Sequence, residues 1–442
     1  MLSIRNLIVI DGFMDTGSKF MHDSLFHNLV EEQNRGLARG IVSVCSAHPV
    51  VLKSALDDGV ARSTNVLIEA TCNQVNQDGG YTGMTPAGFR DFVSGLATKA
   101  GLEPERIILG GDHLGPNPWR HRRASEAMHK AHQMVAAYAK AGFTKFHLDA
   151  SMSCSDDPTP LPTEVIAKRS AELALSAESN AAGRPIVYIV GTEVPIPGGA
   201  TEHLETLAAT DPADAHETMR QHRDAFEKIG ILPAFDRVIG LVVQPGVEFG
   251  HDNVVTYDPV LAEPLKRARN DLGIVFEAHS TDYQNTAGLS SLVRDGFAIL
   301  KVGPWLTFAL REALYGLDHI ATELQLEVNL KAGMEAIMTR HPEHWQLHYT
   351  GDAIHQRLQR HYSYSDRIRY YWSFPEAQHL VNKLVSNFAN TMIPETLISQ
   401  YLTPLWPEVR DRSLQPQALP LIERSVGRIL DDYAEACGHF LP

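Results

Sequence analysis

Residues 106–116 read RIILGGDHLGP, a short apolar run that ends in two glycines and then in Asp112 and His113. A run of this length, rich in Ile and Leu and closed by polar residues, indicates a buried parallel strand. Seven more segments share this form: IVSVCSAH from Ile41, NVLIEATCNQ from Asn65, KFHLDASMS from Lys145, VYIVGTEVP from Val187, RVIGLVVQPG from Arg237, GIVFEAHSTD from Gly273 and AILKVGP from Ala298. The chain therefore predicts eight parallel strands.

Helical patterns lie between these runs. In TPAGFRDFVSGLATKAG, Thr85 is suited to cap a helix, Pro86 to its first turn and Gly101 to its end. Eight strands that alternate with helices fit a doubly wound sheet or a closed barrel, and the polar residue at every strand end favours the barrel. We predict a (β/α)8 TIM barrel over residues 41–325, an N-terminal extension with one helix over 1–40, and a C-terminal helical region over 326–442 packed on the barrel.

The amino-acid composition limits which binding partners and which cellular compartment we expect. Acidic residues outnumber basic ones by 53 to 39, so the net charge of −14 argues against nucleic acid and anionic membranes as partners. The four cysteines lack CxxC spacing, which fits a reducing compartment. The N-terminal apolar run is followed by Asp11 and Asp15, without the small-residue pattern of a cleavage site. We therefore expect a cytoplasmic protein that does not bind membranes.

The active site of a barrel lies at the carboxyl ends of its strands, where the polar residues of each run would meet. Side chains two apart on a strand point the same way, which groups His147 with Asp149, and Glu277 with His279. Asp112 and His113 are neighbours and would diverge in a regular strand, so both reach the site only if the strand ends there. Purely structural interpretations are also open: the Asp-His pair could form a local hydrogen-bonded cap, and Glu277 and His279 could form a buried pair that stabilises the barrel interior.

Two basic features leave several roles open. Lys301 can pair with a carboxylate, bind a phosphate group or form a Schiff base with a carbonyl carbon. In SYSDRIRYYW, Arg367 and Arg369 could grip a phosphate or could lie on the solvated face of a helix. We expect the substrate to contact a set of side chains near the strand ends and in this segment, namely Ser46, Glu69, Asn73, Gln244, Lys301, Ser365 and Arg367.

Several long strings, taken in order from about Gly40 to the C-terminus, resemble the GatZ/KbaZ family. They are CSAHPVVL, IEATCNQVNQDGGYTGMTP, ILGGDHLGPNPW, HLDASMSC, VGTEVPIPGG, VVQPGVEF, EAHSTDYQ, ILKVGPWLTFALREA and YSYSDRIRYYW. The resemblance implies a subunit of class II tagatose-1,6-bisphosphate aldolase in galactitol or N-acetylgalactosamine catabolism. Such a subunit supports the activity and stability of a separate zinc-dependent catalytic subunit, so an oligomer with that partner is expected.

The Asp-His pair is similar to the one that closes a strand in catalytic class II aldolases. This similarity implies an acid role for Asp112 and a divalent metal (zinc, manganese, cobalt, nickel or magnesium) on His113. The aldolases complete their site with further histidines, whereas here we expect His279 and Glu193 to complete the metal site and Asp149 and Glu277 to join Asp112 as catalytic residues. Some family members look like ketose 6-phosphate 4-epimerases, which would interconvert fructose 6-phosphate and tagatose 6-phosphate by breaking and rejoining the C3–C4 bond. The accessory subunit is the first interpretation, the epimerase is the alternative, and a Schiff-base aldolase on Lys301 is a third.

Overall fold

Eight parallel strands close into a barrel in the computed structural model, which describes residues 18–192, 207–389 and 391–439. The described residues form ten strands, eight in the barrel and two in a separate hairpin. They are β1 Ile41–Val44, β2 Val66–Thr71, β3 Ile107–Leu114, β4 Lys145–Leu148, β5 Val187–Val190, β6 Val238–Val242, β7 Glu248–Phe249, β8 Val254–Val255, β9 Val275–Ala278 and β10 Ile299–Val302. Around the barrel the order is β1, β10, β9, β6, β5, β4, β3 and β2, while β7 and β8 form a separate antiparallel hairpin. The predicted eight-stranded barrel is confirmed.

Helices follow the strands in alternation and then continue beyond the barrel. They are α1 Ser18–Asn34, α2 Pro49–Arg62, α3 Pro86–Ala100, α4 Ala124–Ala141, α5 Thr163–Asn180, α6 Pro212–Lys228, α7 Leu232–Phe235, α8 Pro259–Leu272, α9 Thr286–Arg294, α10 Pro304–Glu323, α11 Leu330–Arg340, α12 Ala353–Tyr362, α13 Pro375–Asn387, α14 Glu395–Tyr401, α15 Trp406–Arg410 and α16 Ala418–Ala436. Helix α3 begins as predicted, because the Thr85 side chain accepts a hydrogen bond from the Gly88 amide at 3.2 Å.

Helix α1 closes the amino end of the barrel. Its Phe26 and Leu29 are buried in one apolar cluster with the inward-facing residues of the strands. Those strand residues are Ile41, Leu67, Ile108, Val187, Ile189, Ile239, Val242, Val275, Ala298 and Ile299. Because this end is packed with aliphatic side chains, the opposite end is left for polar chemistry.

The C-terminal helices pack on the barrel. Helix α16 lies against α2, α9 and α10, and its Tyr433 hydroxyl is 2.9 Å from the Thr281 hydroxyl beyond strand β9. The hairpin β7–β8 is tied to the C-terminal region, because the Tyr364 amide donates to the His251 carbonyl at 2.9 Å. This tie holds residues 363–371 at the carboxyl end of the barrel. Among the described helices, none has the length and apolarity needed to cross a bilayer.

Candidate active site

A cavity of about 670 Å³, including its open mouth, lies at the carboxyl ends of the strands. Five of the predicted site residues line it: Asn73, Asp112, His113, His279 and Lys301. Its other lining residues are Cys45, Thr71, Gln74, Tyr81, Phe249, Ser280, Asp282, Val302, Gly303, Pro304, Arg369 and Tyr370. The barrel thus brings together polar side chains from four strands and from the C-terminal region.

A β-bulge directs both Asp112 and His113 into the site. The register of β3 against β4 shifts between Gly111 and Leu114, and His113 has a positive φ of 49°. A bulge turns one residue out of the regular alternation, so neighbouring side chains can face the same side. Strand β3 therefore continues to Leu114, and a bulge replaces the strand end that the sequence argument required.

Three imidazoles surround one point at this end of the barrel. The ring centroids of His113 and His147 are 4.9 Å apart, those of His113 and His279 are 4.9 Å apart, and those of His147 and His279 are 5.0 Å apart. One ligand atom from each ring and one carboxylate oxygen of Asp112 lie within 4.8 Å of one another, and all four residues are buried. Imidazole and carboxylate groups at this spacing can hold a transition-metal ion.

Each imidazole of this histidine cluster has a carboxylate partner. The pairs are His113 Nδ1 with Asp149 Oδ2 at 2.8 Å, His147 Nδ1 with Asp112 Oδ1 at 2.9 Å, and His279 Nε2 with Glu277 Oε1 at 2.9 Å. When one ring nitrogen donates its proton to a carboxylate, the other keeps a lone pair that can bind a metal. Nδ1 of His147 also accepts the His113 amide at 3.2 Å, so its two contacts need opposite tautomers; a metal on Nε2 would require the proton on Nδ1. Among the described residues this Nε2 atom is buried without a hydrogen-bond partner.

Ion pairs lie under the cluster inside the barrel. The Lys145 ammonium is 2.6 Å from Glu69 and 2.6 Å from Glu277, and the Lys301 ammonium is 3.0 Å from Glu69 and 2.7 Å from Asp112. Glu69, Lys145 and Glu277 are fully buried. Buried charges are tolerated when they are paired in this way, so the network sets the position of the carboxylates above it.

Gly110 in β3 and Gly115 in the loop after it lie where neighbouring atoms leave no space for a side chain. A Cβ atom at Gly110 would lie 2.7 Å from Cγ of Glu69, and one at Gly115 would lie 1.6 Å from the carbonyl oxygen of Asp149. Real Cβ atoms do not approach so closely, so both positions require glycine.

The electrostatics of the site favour a bound cation. Burial alone would raise the pKa of Asp112, but His113 and Lys301 outweigh it and hold that pKa well below its usual range. Burial would lower the pKa of His113, but Asp112 and Asp149 raise it. Burial, aided by the charge of Lys301, lowers the pKa of His279 to about 3. The carboxylates thus attract positive charge to the cluster: His279 stays neutral, as a metal ligand must, whereas a metal bound to His113 would displace the proton that its raised pKa favours.

The charge state of Lys301 bears on the Schiff-base hypothesis. Burial alone would lower the pKa of this amine, but Asp112 and the neighbouring acidic groups raise it well above its usual range. A Schiff-base lysine must be a neutral amine to attack a carbonyl. The ion pairs of Lys301 therefore favour a structural and electrostatic role.

Other predicted residues lie outside this cavity. Ser46 lines an adjoining chamber, where its hydroxyl accepts the His48 amide at 3.2 Å. The Gln244 side chain accepts the backbone amides of Gly246 and Val247, at 2.8 and 2.9 Å, and so shapes the loop after β6. Glu193 lies outside the described residues.

The two arginines of the SYSDRIRYYW segment differ in position. Arg367 donates to the carbonyl of His344, and Ser365 lies in a buried hydroxyl network 3.2 Å from Tyr349; neither lines the cavity. Arg369, two residues later, lines both the cavity and the adjoining chamber.

His147 is the cluster residue that the sequence did not select as a ligand. The signal was present, because His147 lies two residues before Asp149 and their side chains share one strand face. The sequence did not reveal that His147 pairs with Asp112, because Asp112 lies on the neighbouring strand β3, 35 residues earlier.

The fold and the site together define a (β/α)8-barrel protein whose strand ends carry a buried cluster able to hold a metal ion. The chain belongs to the GatZ/KbaZ-like family, because the family model described as D-tagatose-1,6-bisphosphate aldolase subunit GatZ/KbaZ-like matches residues 26–438. The family predicted from the sequence strings is confirmed. The match begins within α1, earlier than the expected start near Gly40.

Two relatives are similar over nearly their whole length. The chain is 52% identical over 422 residues to a D-tagatose 6-phosphate 4-epimerase of Agrobacterium fabrum (strain C58 / ATCC 33970), covering 94% of this chain and 99% of that protein. It is 54% identical to a probable tagatose 6 phosphate kinase from Sinorhizobium meliloti 1021 of known crystal structure, with a TM-score of 0.84 over 90% of this chain and 100% of that one.

Proposed function

We propose that this chain is a metal-dependent ketose 6-phosphate 4-epimerase that interconverts tagatose 6-phosphate and fructose 6-phosphate. The observation that carries the proposal is the buried cluster of Asp112, His113, His147 and His279, of which Asp112, His113 and His279 line a cavity at the carboxyl ends of the strands. The name of the 52% identical relative supports the same substrate and reaction.

The donor set fits a transition metal. His113, His147 and His279 would hold the ion, since each has one ring nitrogen tied to a carboxylate. Three imidazoles suit zinc, cobalt or nickel better than magnesium or manganese, which prefer oxygen ligands. When bound, such an ion supplies Lewis acidity that polarises the ketose oxygens and stabilises negative charge on a three-carbon fragment.

Asp112 is placed to move the proton. It lines the cavity, and its Oδ1 is held by His147 at 2.9 Å and by Lys301 at 2.7 Å, which leaves Oδ2 for the substrate. Asp112 would accept the C4 hydroxyl proton as the C3–C4 bond breaks and the C4 carbonyl forms. Rotation of the aldehyde and re-addition of C3 to its other face would return the proton and invert C4. Atoms and electrons balance, so no redox cofactor is required.

The carboxylates farther from the cavity would position the imidazoles. Asp149 and Glu277 do not line the cavity, and each binds one imidazole of the cluster. Asn73, Thr71 and Gln74 line the cavity near the ends of β2 and would bind sugar hydroxyls.

Two other activities account for the buried cluster less well than epimerisation does. Support of a separate class II aldolase subunit, which the family description implies, needs a docking surface and gives no reason for a cluster of buried ionisable groups. Phosphate transfer, as in the name of the solved relative, needs a nucleotide site, and the sequence has no Walker spacing.

The direct test is to incubate the purified protein with fructose 6-phosphate and to measure tagatose 6-phosphate after chelation and after re-addition of single metals. We expect metal-dependent turnover that falls at least about 100-fold in Asp112→Asn even at metal concentrations that saturate the variant, and that is lost together with the metal in His147→Ala. His222→Gln is the matched control, because His222 is also buried with an unpartnered Nε2 but lies outside the cluster. Absence of turnover with every metal would reject the epimerase.

A further inference from the structure

The helix N-terminus that binds phosphate in many barrels is capped here by a side chain of the protein, Asp282. Many barrels bind phosphate at a helix N-terminus after the last strands. Here the corresponding helix is α10, and Oδ1 of Asp282 accepts the amides of Gly303 and Trp305 at 3.0 and 2.8 Å. Pro304, between them, has no amide hydrogen to offer. A substrate phosphate must therefore be bound elsewhere in the cavity.

Two basic side chains line the described cavity, Lys301 and Arg369. Lys301 is neutralised by its ion pairs with Glu69 and Asp112. Of these two described side chains, Arg369 is the one whose charge is not held in a direct ion pair.

Arg369 is held in place by neutral groups. Its guanidinium donates to the carbonyls of Ser365 and Asp366 and to the Tyr370 hydroxyl, the last at 3.0 Å, and lies 4.5 Å from the Tyr370 ring centroid. Within the described part of the chain it makes no ion pair with a carboxylate; Asp366 instead accepts from Thr307 at 2.6 Å. The carboxylates of Asp366 and Asp282 act on this guanidinium only at longer range, so an anion bound in direct contact with it would stabilise the buried charge further.

We infer, on the basis of the proposed function, that Arg369 binds the 6-phosphate of the ketose and selects a monophosphate over a bisphosphate. The guanidinium fork matches phosphate oxygens. With the phosphate on Arg369, the other end of the sugar would face Asp112, His113 and His279, which line the same cavity. Among the described residues, the cavity lining offers no second Lys or Arg free of an ion pair for a phosphate at C1, so the second phosphate of a bisphosphate would lack a partner of this kind.

The test is calorimetric binding to the metal-containing protein, with tagatose 6-phosphate, tagatose and tagatose 1,6-bisphosphate as the probes. We expect Arg369→Gln to weaken tagatose 6-phosphate binding by about 10- to 100-fold and to leave tagatose binding unchanged. Arg369→Lys keeps the charge without the fork and should lie between wild type and Arg369→Gln. Arg340→Gln is the control, because Arg340 is an exposed arginine paired with Glu376 outside the cavity, and it should bind like wild type.

The outcomes separate this inference from the proposed function. Weakened phosphate binding in Arg369→Gln supports the inference even if the wild type shows no epimerase turnover. Unchanged binding in a folded Arg369→Gln protein, equal losses in Arg340→Gln, or a wild type that binds the bisphosphate as tightly as the monophosphate would overturn it, whatever the turnover. Thermal unfolding of each variant identifies any that fail to fold. If Arg369→Gln fails to fold, the tagatose 6-phosphate binding of Arg369→Lys tests the inference instead.

Discussion

Nδ1 of His113 lies 2.8 Å from Oδ2 of Asp149, and Oδ1 of the same carboxylate accepts the Ser151 hydroxyl at 2.6 Å. Both groups are buried, and His113 holds the pKa of Asp149 below its usual range despite that burial. An ionised Asp149 fixes the imidazole proton on Nδ1 and leaves Nε2 for a metal. The pair connects β3 to the end of β4, so the orientation of His113 depends on two strands.

Replacing this carboxylate should weaken metal binding without unfolding the chain. In Asp149→Asn the amide no longer requires a proton on Nδ1, and we expect metal affinity to fall by about 10- to 100-fold. Competition with a coloured chelator measures the change. Asp352→Asn is the control, because Asp352 caps α12 by accepting the His355 amide, a role that Asn also fills. Unchanged affinity in Asp149→Asn would contradict the orienting role.

Borohydride should not trap substrate on Lys301. Its ammonium is paired with Asp112 at 2.7 Å and Glu69 at 3.0 Å, so the neutral amine needed for a Schiff base is rarely formed. We expect no mass increase on the peptide that contains Lys301 after treatment with fructose 6-phosphate and borohydride. A covalent adduct at this residue, measured by mass spectrometry, would revive the Schiff-base hypothesis.

The stability of the fold should decrease as the pH falls from 6.5 towards 4, partly because of His222. Burial lowers the pKa of His222 from 6.5 to about 4. Within that range the unfolded state holds more protons than the folded state, so protonation favours unfolding. Between pH 7 and pH 5 this histidine should cost about 2 kcal/mol of unfolding free energy.

Urea unfolding at the two pH values measures this effect. His222→Gln should lose less stability than wild type over the same interval, because glutamine does not titrate. The remaining decrease is expected from other buried histidines, such as His48, whose pKa burial also lowers to about 4. Equal decreases in wild type and His222→Gln would show that His222 does not contribute.

Two Gly→Ala changes should have opposite effects on stability. At Gly115 the new Cβ would lie 1.6 Å from the Asp149 carbonyl oxygen, so Gly115→Ala should lower the free energy of unfolding by at least about 3 kcal/mol. Gly95 is exposed within α3 and has no neighbouring atom within 4 Å, so Gly95→Ala should raise it by about 0.5 to 1 kcal/mol. Chemical denaturation measures both, and a stable Gly115→Ala protein would be inconsistent with this packing.

The sequence by itself determined the barrel and much of the content of its active end. Eight apolar runs closed by polar residues define parallel strands buried on both faces, and the rule for barrels places those polar residues together. Asn73, Asp112, His113, His279 and Lys301 were predicted on this basis, and all five line one cavity. These features could be predicted because strand periodicity and strand direction are local properties of the chain.

Only the tertiary structure decided which groups meet across strands. The bulge at His113, the pairing of His147 with Asp112, and the position of Arg369 in the cavity while Arg367 lies outside it all depend on contacts between distant segments. Periodicity tells which face of a strand carries a side chain, but register and bulges decide its neighbour. The packing of α1 under the barrel likewise depends on the closed shape, because its apolar partners lie on several strands that are adjacent only after folding.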